Sequence, residues 1–386
     1  MKKRWVLLLF SLMVSSVLYA GTDSSKEACP SDQILKITAY DGVTFLGRLR
    51  LPAERPVKKL VIYVNGSGPS TYDDKRSLGD GTVFSYFDLF AEKCNDEGTG
   101  FFSYDTRGVS PSDQPPTFST IDTKVYQTYR PTNEIQDIET IIRTLQAIPC
   151  LHSAKIILLG WSCGTMVAPE VALRKKVQVD ALILAGYMND TMDETITWQN
   201  SGIPSMMFYC RYFDADKDGT VSAKEFSDDP YKILPALGLD KNHDFEKLDT
   251  NKDGKLDADD FALMLIPYLA QLKEAIDTGN DEWIATHYSV RLTSGWFMDY
   301  RNHMPANREV LPRLDIPIYI FQGTEDRNVP MQGALNIKDT FKELGKTNLV
   351  VHVFPGHDHD LNYMTYPLGK GLSEGFQEIF RTIGKL

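Results

Sequence analysis

Short apolar runs punctuate the chain at regular intervals. Leu60-Val61-Ile62-Tyr63-Val64, residues 100–104 and 155–160, Ala181-Leu182-Ile183-Leu184-Ala185, Ile316–Phe321 and Leu349–Phe354 are rich in aliphatic and aromatic side chains at successive positions. Strands buried on both faces of a parallel sheet have this pattern. Stretches near 83–95, 132–147 and 164–175 instead repeat their apolar residues at helical spacing. Closer to the N-terminus, residues 33–38 and 43–51 flank Ala39-Tyr40-Asp41-Gly42. Strand patterns on either side of an Asp-Gly turn predict an antiparallel hairpin. Strands alternating with helices predict an α/β fold with a mostly parallel central sheet flanked by helices. The alternation lapses over residues 190–300, which read as an insertion between a first core segment, 21–189, and a second, 301–386.

Three strand ends carry reactive side chains. Ile156–Leu159 runs into Gly160-Trp161-Ser162-Cys163-Gly164, with a helix-compatible segment behind it. Gly-x-Ser-x-Gly in that setting is a nucleophile elbow, a turn too tight for side chains at its flanks, which lifts the serine to the N-terminus of the next helix. Ile316–Phe321 ends in Gln322-Gly323-Thr324-Glu325-Asp326-Arg327-Asn328-Val329-Pro330, and Leu349–Phe354 ends in Pro355-Gly356-His357-Asp358-His359-Asp360-Leu361. Open α/β sheets hold their sites past the C-terminal ends of strands. In an extended stretch Glu325 and Asp326 face opposite sides, so one carboxylate alone faces the histidine. His352 lies within the apolar run, which makes it a packing residue, whereas His357 and His359 both lie in the loop. Cys163 reads as a small residue beside the elbow rather than a nucleophile.

In these motifs and in the order Ser, Asp, His, the chain resembles the α/β-hydrolase superfamily. The resemblance spans most of the chain outside the insertion. It implies a triad of Ser162, Asp326 and His359. The Gly-Thr-x-Asp…Val-Pro pattern places the acid at Asp326, and the His-Asp-Leu pattern favours His359 over His357. It further implies an oxyanion hole from the backbone N–H groups of Ser67 and Cys163, Ser67 lying in the loop Asn65-Gly66-Ser67-Gly68 after a strand. Asn65 stands where the family commonly has His-Gly. Asp105-Thr106-Arg107-Gly108 resembles a structural segment of the family, and the insertion falls where members carry a cap over the active site.

Inside the insertion, residues 214–225 match the twelve-residue EF-hand calcium loop. Asp214, Asp216 and Asp218 stand at the oxygen-ligand positions, Gly219 at the sharp turn, Thr220 at the carbonyl position, Ser222 at the water-mediated one and Glu225 at the bidentate end. A second loop, 249–260, starts 35 residues later and offers Asp249, Asn251, Asp253, Lys255 through its carbonyl, Asp257 and Asp260. That spacing suits a paired EF-hand, with Val221 and Leu256 pairing across it. Asp260 is one methylene shorter than glutamate, which predicts weaker calcium binding at the second loop. Residues 189–262 hold 17 acidic against 8 basic residues, so they account for −9 of the chain's formal charge of −11. The acidity thus belongs to metal sites, and the absence of a basic stripe argues against nucleic acid as a partner.

Lys2-Lys3-Arg4 followed by an apolar stretch to Tyr19 and by Ala20-Gly21 reads as a signal peptide over residues 1–20, too short for a stable membrane span. The expected location is therefore exported, periplasmic or secreted. The five cysteines, Cys29, Cys94, Cys150, Cys163 and Cys210, leave at least one unpaired. The leading functional expectation is an exported serine hydrolase that cleaves an ester, thioester or amide of a small-molecule, acyl or peptide substrate, with calcium stabilising its cap. A serine aminopeptidase is the alternative among enzymes, and an acidic side chain placed to hold a substrate amine would favour it. A calcium-binding interaction protein on an inactive hydrolase scaffold is the alternative of another class.

Overall fold

The computed structural model describes residues 29–241 and 243–386, so the signal-peptide segment lies outside the described residues. Eight strands form the central sheet. They are β1 (Asp32–Thr38), β2 (Thr44–Arg50), β3 (Lys59–Val64), β4 (Gly100–Tyr104), β5 (Lys155–Trp161), β6 (Ala181–Ala185), β7 (Ile318–Gly323) and β8 (Leu349–Phe354). Their order across the sheet is β1-β2-β4-β3-β5-β6-β7-β8. The β1–β2 hairpin and the β2–β4 pair are antiparallel. Every pair from β4 to β8 is parallel. The hairpin closes through Asp41-Gly42, with the Ala39 N–H donating to the Val43 carbonyl at 2.8 Å.

Burial on both faces explains the continuous apolar runs. Leu60, Ile62, Ile156, Leu158, Leu182 and Leu184 belong to one core cluster. The alternate residues Val61, Tyr63, Ile157, Leu159, Ala181 and Ile183 belong to the cluster on the opposite face. Helices α1 (Tyr86–Asp96), α2 (Pro131–Gln146) and α3 (Gly164–Arg174) occupy the expected stretches. One boundary differs. Residues 83–85 pair as a short strand with 75–77, and the helix starts only after Ser85.

The chain leaves the sheet at Ala185 and returns at Ile318. Between them lie α4 (Met192–Gln199), α5 (Ile203–Phe213), α6 (Ala223–Asp228), α7 (Phe245–Leu248), α8 (Ala258–Thr278), α9 (Asp281–His287) and α10 (Ser294–His303). Met206, Phe213, Val221, Phe226, Leu248, Leu256 and Phe261 form a small core of their own. Leu272, Ile276, Ile284, Trp296 and Tyr300 instead join the main core. The first part of the insertion is thus a separate lobe, whereas its second part is packed into the hydrolase body. Beyond the insertion, α11 (Met331–Glu343) follows β7, and α12 (Glu374–Lys385) packs Phe376, Ile379, Phe380 and Ile383 against the second face. Cys29 and Cys150 form a disulfide, while Cys94, Cys163 and Cys210 are free. Among the described residues no helix is long and apolar enough to cross a membrane.

Candidate active site

The turn after β5 is as tight as its glycines imply. A Cβ at Gly160 would lie 2.4 Å from the Gly164 carbonyl oxygen, and one at Gly164 would lie 2.3 Å from that of Val64. Neither position admits a side chain. Between them Ser162 adopts φ of 52°, a left-handed conformation uncommon for non-glycine residues. Its N–H donates to the Ala185 carbonyl at 2.9 Å, which ties the elbow to the end of β6.

Asp326 is buried in the turn after β7, and four donors fix its carboxylate. Oδ1 accepts from the backbone N–H groups of Asn328 at 2.8 Å and Val329 at 3.0 Å. Oδ2 accepts from Gln322 Nε2 at 2.8 Å and lies 2.8 Å from His359 Nδ1. Gln322 is itself fully buried, and its Oε1 accepts from the Tyr187 N–H at 2.8 Å. Glu325 turns away and pairs with Arg211 of α5, so of the two adjacent carboxylates Asp326 is the one that meets a histidine.

The same distinction separates the three histidines. His352 stacks on Phe321 at 4.9 Å, and burial lowers its pKa. His357 is buried against Phe354, with Nδ1 3.2 Å from the Pro355 carbonyl. Only His359 reaches Asp326. It sits over Gly186, where a Cβ would come within 2.7 Å of its Cε1, and Gly186 directly follows the residue that accepts from Ser162. The Ser162 backbone and the His359 ring thus meet consecutive residues, Ala185 and Gly186. Burial works to lower the His359 pKa, but the charge of Asp326 and the hydrogen bond to it, with Asp360 and Asp358 nearby, outweigh burial and raise it to about 9.

Cys163 opens α3, and burial pushes its thiol up to about 12, with Ser67 directed at its sulfur. A thiol so protonated is no nucleophile at neutral pH. Gly66, beside Ser67, approaches Ser162 closely enough that a Cβ would stand 3.4 Å from the serine Cβ. Ser67, Ser162 and Cys163 line one cavity of about 290 Å³, together with Met188 and with Met192, Tyr288 and Trp296 from the insertion. Asn65 Nδ2 donates to the Tyr104 carbonyl at 3.2 Å, a structural contact. Arg107 is buried between Asp137 and Asp41, which fits the structural role expected of its segment.

The two acidic loops share most of their internal hydrogen bonds. Asp214 Oδ1 and Oδ2 accept from the N–H groups of Asp218 and Gly219 at 3.2 and 3.0 Å. Asp249 does the same with Asp253 and Gly254 at 3.1 and 3.0 Å. Asp216 and Asn251 each accept from the N–H two residues on, as do Asp218, from Thr220, and Asp253, from Lys255. Gly219 and Gly254 share positive φ values of 88° and 87°. Val221 pairs with Leu256, and Ser222 with Lys255, in a short antiparallel bridge. Glu225 folds back to the N–H groups of Ala215 and Ser222, both at 2.9 Å. Asp260, despite its shorter side chain, reaches those of Asn251 and Asp257 at 3.1 and 3.0 Å and is fully buried. Ser222 and Asp257 also cap the helices that follow, so they have a structural role as well. Carboxylate oxygens of Asp214, Asp216 and Asp218 lie within 4.8 Å of one another. Of the apolar side chains of the insertion, Met206 and Phe261 are lobe core, Met264 is exposed and Tyr268 lines the cavity.

Gln322, Gly186 and Arg327 were not among the expected site residues. The glutamine stands four residues before the acid, a spacing whose meaning depends on the turn that follows β7.

Comparison with known proteins agrees with the fold. No curated protein matches the chain. Among solved structures, an esterase from Pyrococcus furiosus aligns over 92% of this chain and 89% of its own, at 13% identity and a TM-score of 0.48. A carboxyl esterase from Bacillus coagulans aligns over 92% and 100%, at 15% identity and 0.47. A dipeptidyl aminopeptidase IV-type protein from Bacteroides ovatus aligns over 92% of this chain but 35% of its own, at 14% identity and 0.47. A family model described as alpha/beta hydrolase fold matches residues 78–362, from the ribbon before α1 to the loop that carries His359. The chain belongs to the α/β-hydrolase fold family.

Proposed function

We propose that the protein is an exported serine hydrolase that cleaves an ester, thioester or amide through an acyl-enzyme. One observation carries the reading. Ser162 is held in a left-handed conformation between two glycines that admit no side chain, at the sheet end where His359 meets Asp326. Backbone strain of this kind clusters at active sites. Ser162 Oγ attacks the substrate carbonyl carbon while His359 takes its proton, and the N–H groups of Ser67 and Cys163 receive the oxyanion. His359 returns the proton to the leaving group, which departs and leaves an acyl-serine that water then hydrolyses. Asp326, locked by Gln322 and two backbone donors, holds the imidazole in place. Among the described residues the cavity lining holds no carboxylate to bind a free amine, which favours an ester over an aminopeptidase substrate.

Calcium is the metal that the two loops would take. Asp214, Asp216, Asp218 and Glu225 would hold it in the first loop, with Thr220 through its carbonyl, and Asp249, Asn251, Asp253 and Asp260 in the second, with Lys255 through its carbonyl. The ion would offset the repulsion among these carboxylates and so support the lobe, with no part in the chemical steps. Export rests on the N-terminal Lys2-Lys3-Arg4 and apolar segment, and the Cys29–Cys150 disulfide suits an oxidising compartment. The test is burst kinetics on 4-nitrophenyl acetate. One equivalent of 4-nitrophenol released ahead of steady turnover, absent in Ser162→Ala, supports the acyl-enzyme. Equal rates in the two proteins refute it.

A further inference from the structure

The cavity above Ser162 carries one charged side chain, and it is a cation. Polar and apolar groups share its lining, and among the described residues Arg327 is the one charged side chain there. Arg327 directly follows the triad acid and is exposed to solvent. Its guanidinium lies 5.1 Å from the centre of the Phe208 ring of α5. Among the described residues no carboxylate pairs with it, although the neighbouring arginine on α5, Arg211, is taken by Glu325. Glu325 and Asp358 line an adjoining cavity with Arg327 and Phe208, so these carboxylates lie near Arg327 without forming an ion pair with it.

A guanidinium laid over an aromatic face keeps its charge, is restricted in its rotamers and leaves its N–H edge free for a planar anion. A carboxylate is the anion that fits such an edge with two parallel hydrogen bonds. At about 290 Å³ the cavity holds roughly ten water-sized groups, so the recognised part of the substrate is compact. We propose that Arg327 is a specificity-determining residue, and that this site prefers a short carboxylic ester bearing a free carboxylate. The proposal rests on the assignment of Ser162 as nucleophile and adds the substrate class.

Two esters of one chain length test it: the 4-nitrophenyl monoester of adipic acid, whose far end is a carboxylate, and 4-nitrophenyl hexanoate, whose far end is a methyl. The wild type should show a kcat/KM about fivefold to tenfold higher for the anionic ester, expressed mainly in KM and shrinking as salt is added. Arg327→Ala should bring the ratio to about one, Arg327→Glu should invert it, and Arg327→Lys should keep part of it. The ratio is the readout because general damage to the fold lowers both rates together. A wild-type ratio at or below one overturns the proposal while leaving the hydrolase in place, as does a ratio that survives Arg327→Ala. No turnover of either ester, with Ser162 unreactive toward a fluorophosphonate, removes the hydrolase and the proposal together.

Discussion

The sheet end and the acidic lobe hold polar groups in place by opposite means. At the sheet end, Ser162, Asp326 and His359 come from three distant parts of the chain, and a buried framework fixes each of them. In the lobe, the carboxylates of each loop lie within twelve residues and bind the loop's own backbone. The first arrangement stores strain and needs the whole sheet. The second is local, carries its own small core and concentrates negative charge that a cation would neutralise. If the contrast is right, damage at the sheet end removes chemistry and leaves stability, whereas damage in the lobe removes stability and leaves chemistry.

The sharpest way to break that contrast is at the triad. Ser162→Ala, Asp326→Asn and His359→Ala should each lower kcat by at least about a thousandfold while the protein stays folded. Steady-state kinetics beside thermal melts check this, and a His359→Ala protein with near-normal kcat would unseat the assignment. Gln322→Leu comes next. It removes one of four donors to Asp326, and the loss of a buried hydrogen bond to a charged group should cost roughly tenfold or more in kcat with KM almost unchanged.

The pH dependence sharpens the same side. His359 must be neutral to accept the serine proton, so kcat/KM should rise with pH and level off only above about 9. Its folded pKa lies above the usual value near 6.5, so the stability it contributes is full below that value and fades as pH rises through about 9. Activity and this share of stability should therefore move in opposite directions across that window, and parallel pH profiles would contradict the pairing with Asp326.

The lobe side predicts a smaller effect. With calcium at one hundred times its dissociation constant, binding to the folded form alone stabilises by about 2.7 kcal/mol, a shift of a few degrees in melting. A chelator should remove that shift, and Glu225→Gln should reproduce most of the loss. Scanning calorimetry with and without chelator reads it directly. The smallest effect should come from Arg211→Ala, which cuts the ion pair between α5 and Glu325. An exposed pair of this kind is worth about 1 kcal/mol at most, so turnover should stay within about fivefold. A larger fall would show that the lobe governs the acid-bearing turn.

Sequence alone disclosed the two regions to different depths for the same physical reason. The calcium-type loops are contiguous, so their pattern can be read end to end. Val221 and Leu256, for instance, pair as their position in each loop predicts. The elbow is legible because Gly160 and Gly164 meet backbone within the same turn or the adjoining strand end. Choosing between His357 and His359 needed a resemblance, since both lie in one loop and only the fold decides which faces Asp326. Gln322, Gly186 and Arg327 stayed hidden because their partners, Tyr187, His359 and Phe208, are remote in sequence. The Cys29–Cys150 pairing is equally non-local. Residues 83–85 look helical in isolation, but a partner at 75–77 draws them into a ribbon.

The most direct measurement is mass spectrometry of the protein after reaction with a fluorophosphonate, with and without chelator. The account predicts a single adduct on the peptide bearing Ser162, formed in both conditions and lost in His359→Ala. An adduct on another residue, or none on the calcium-loaded wild type, would contradict it.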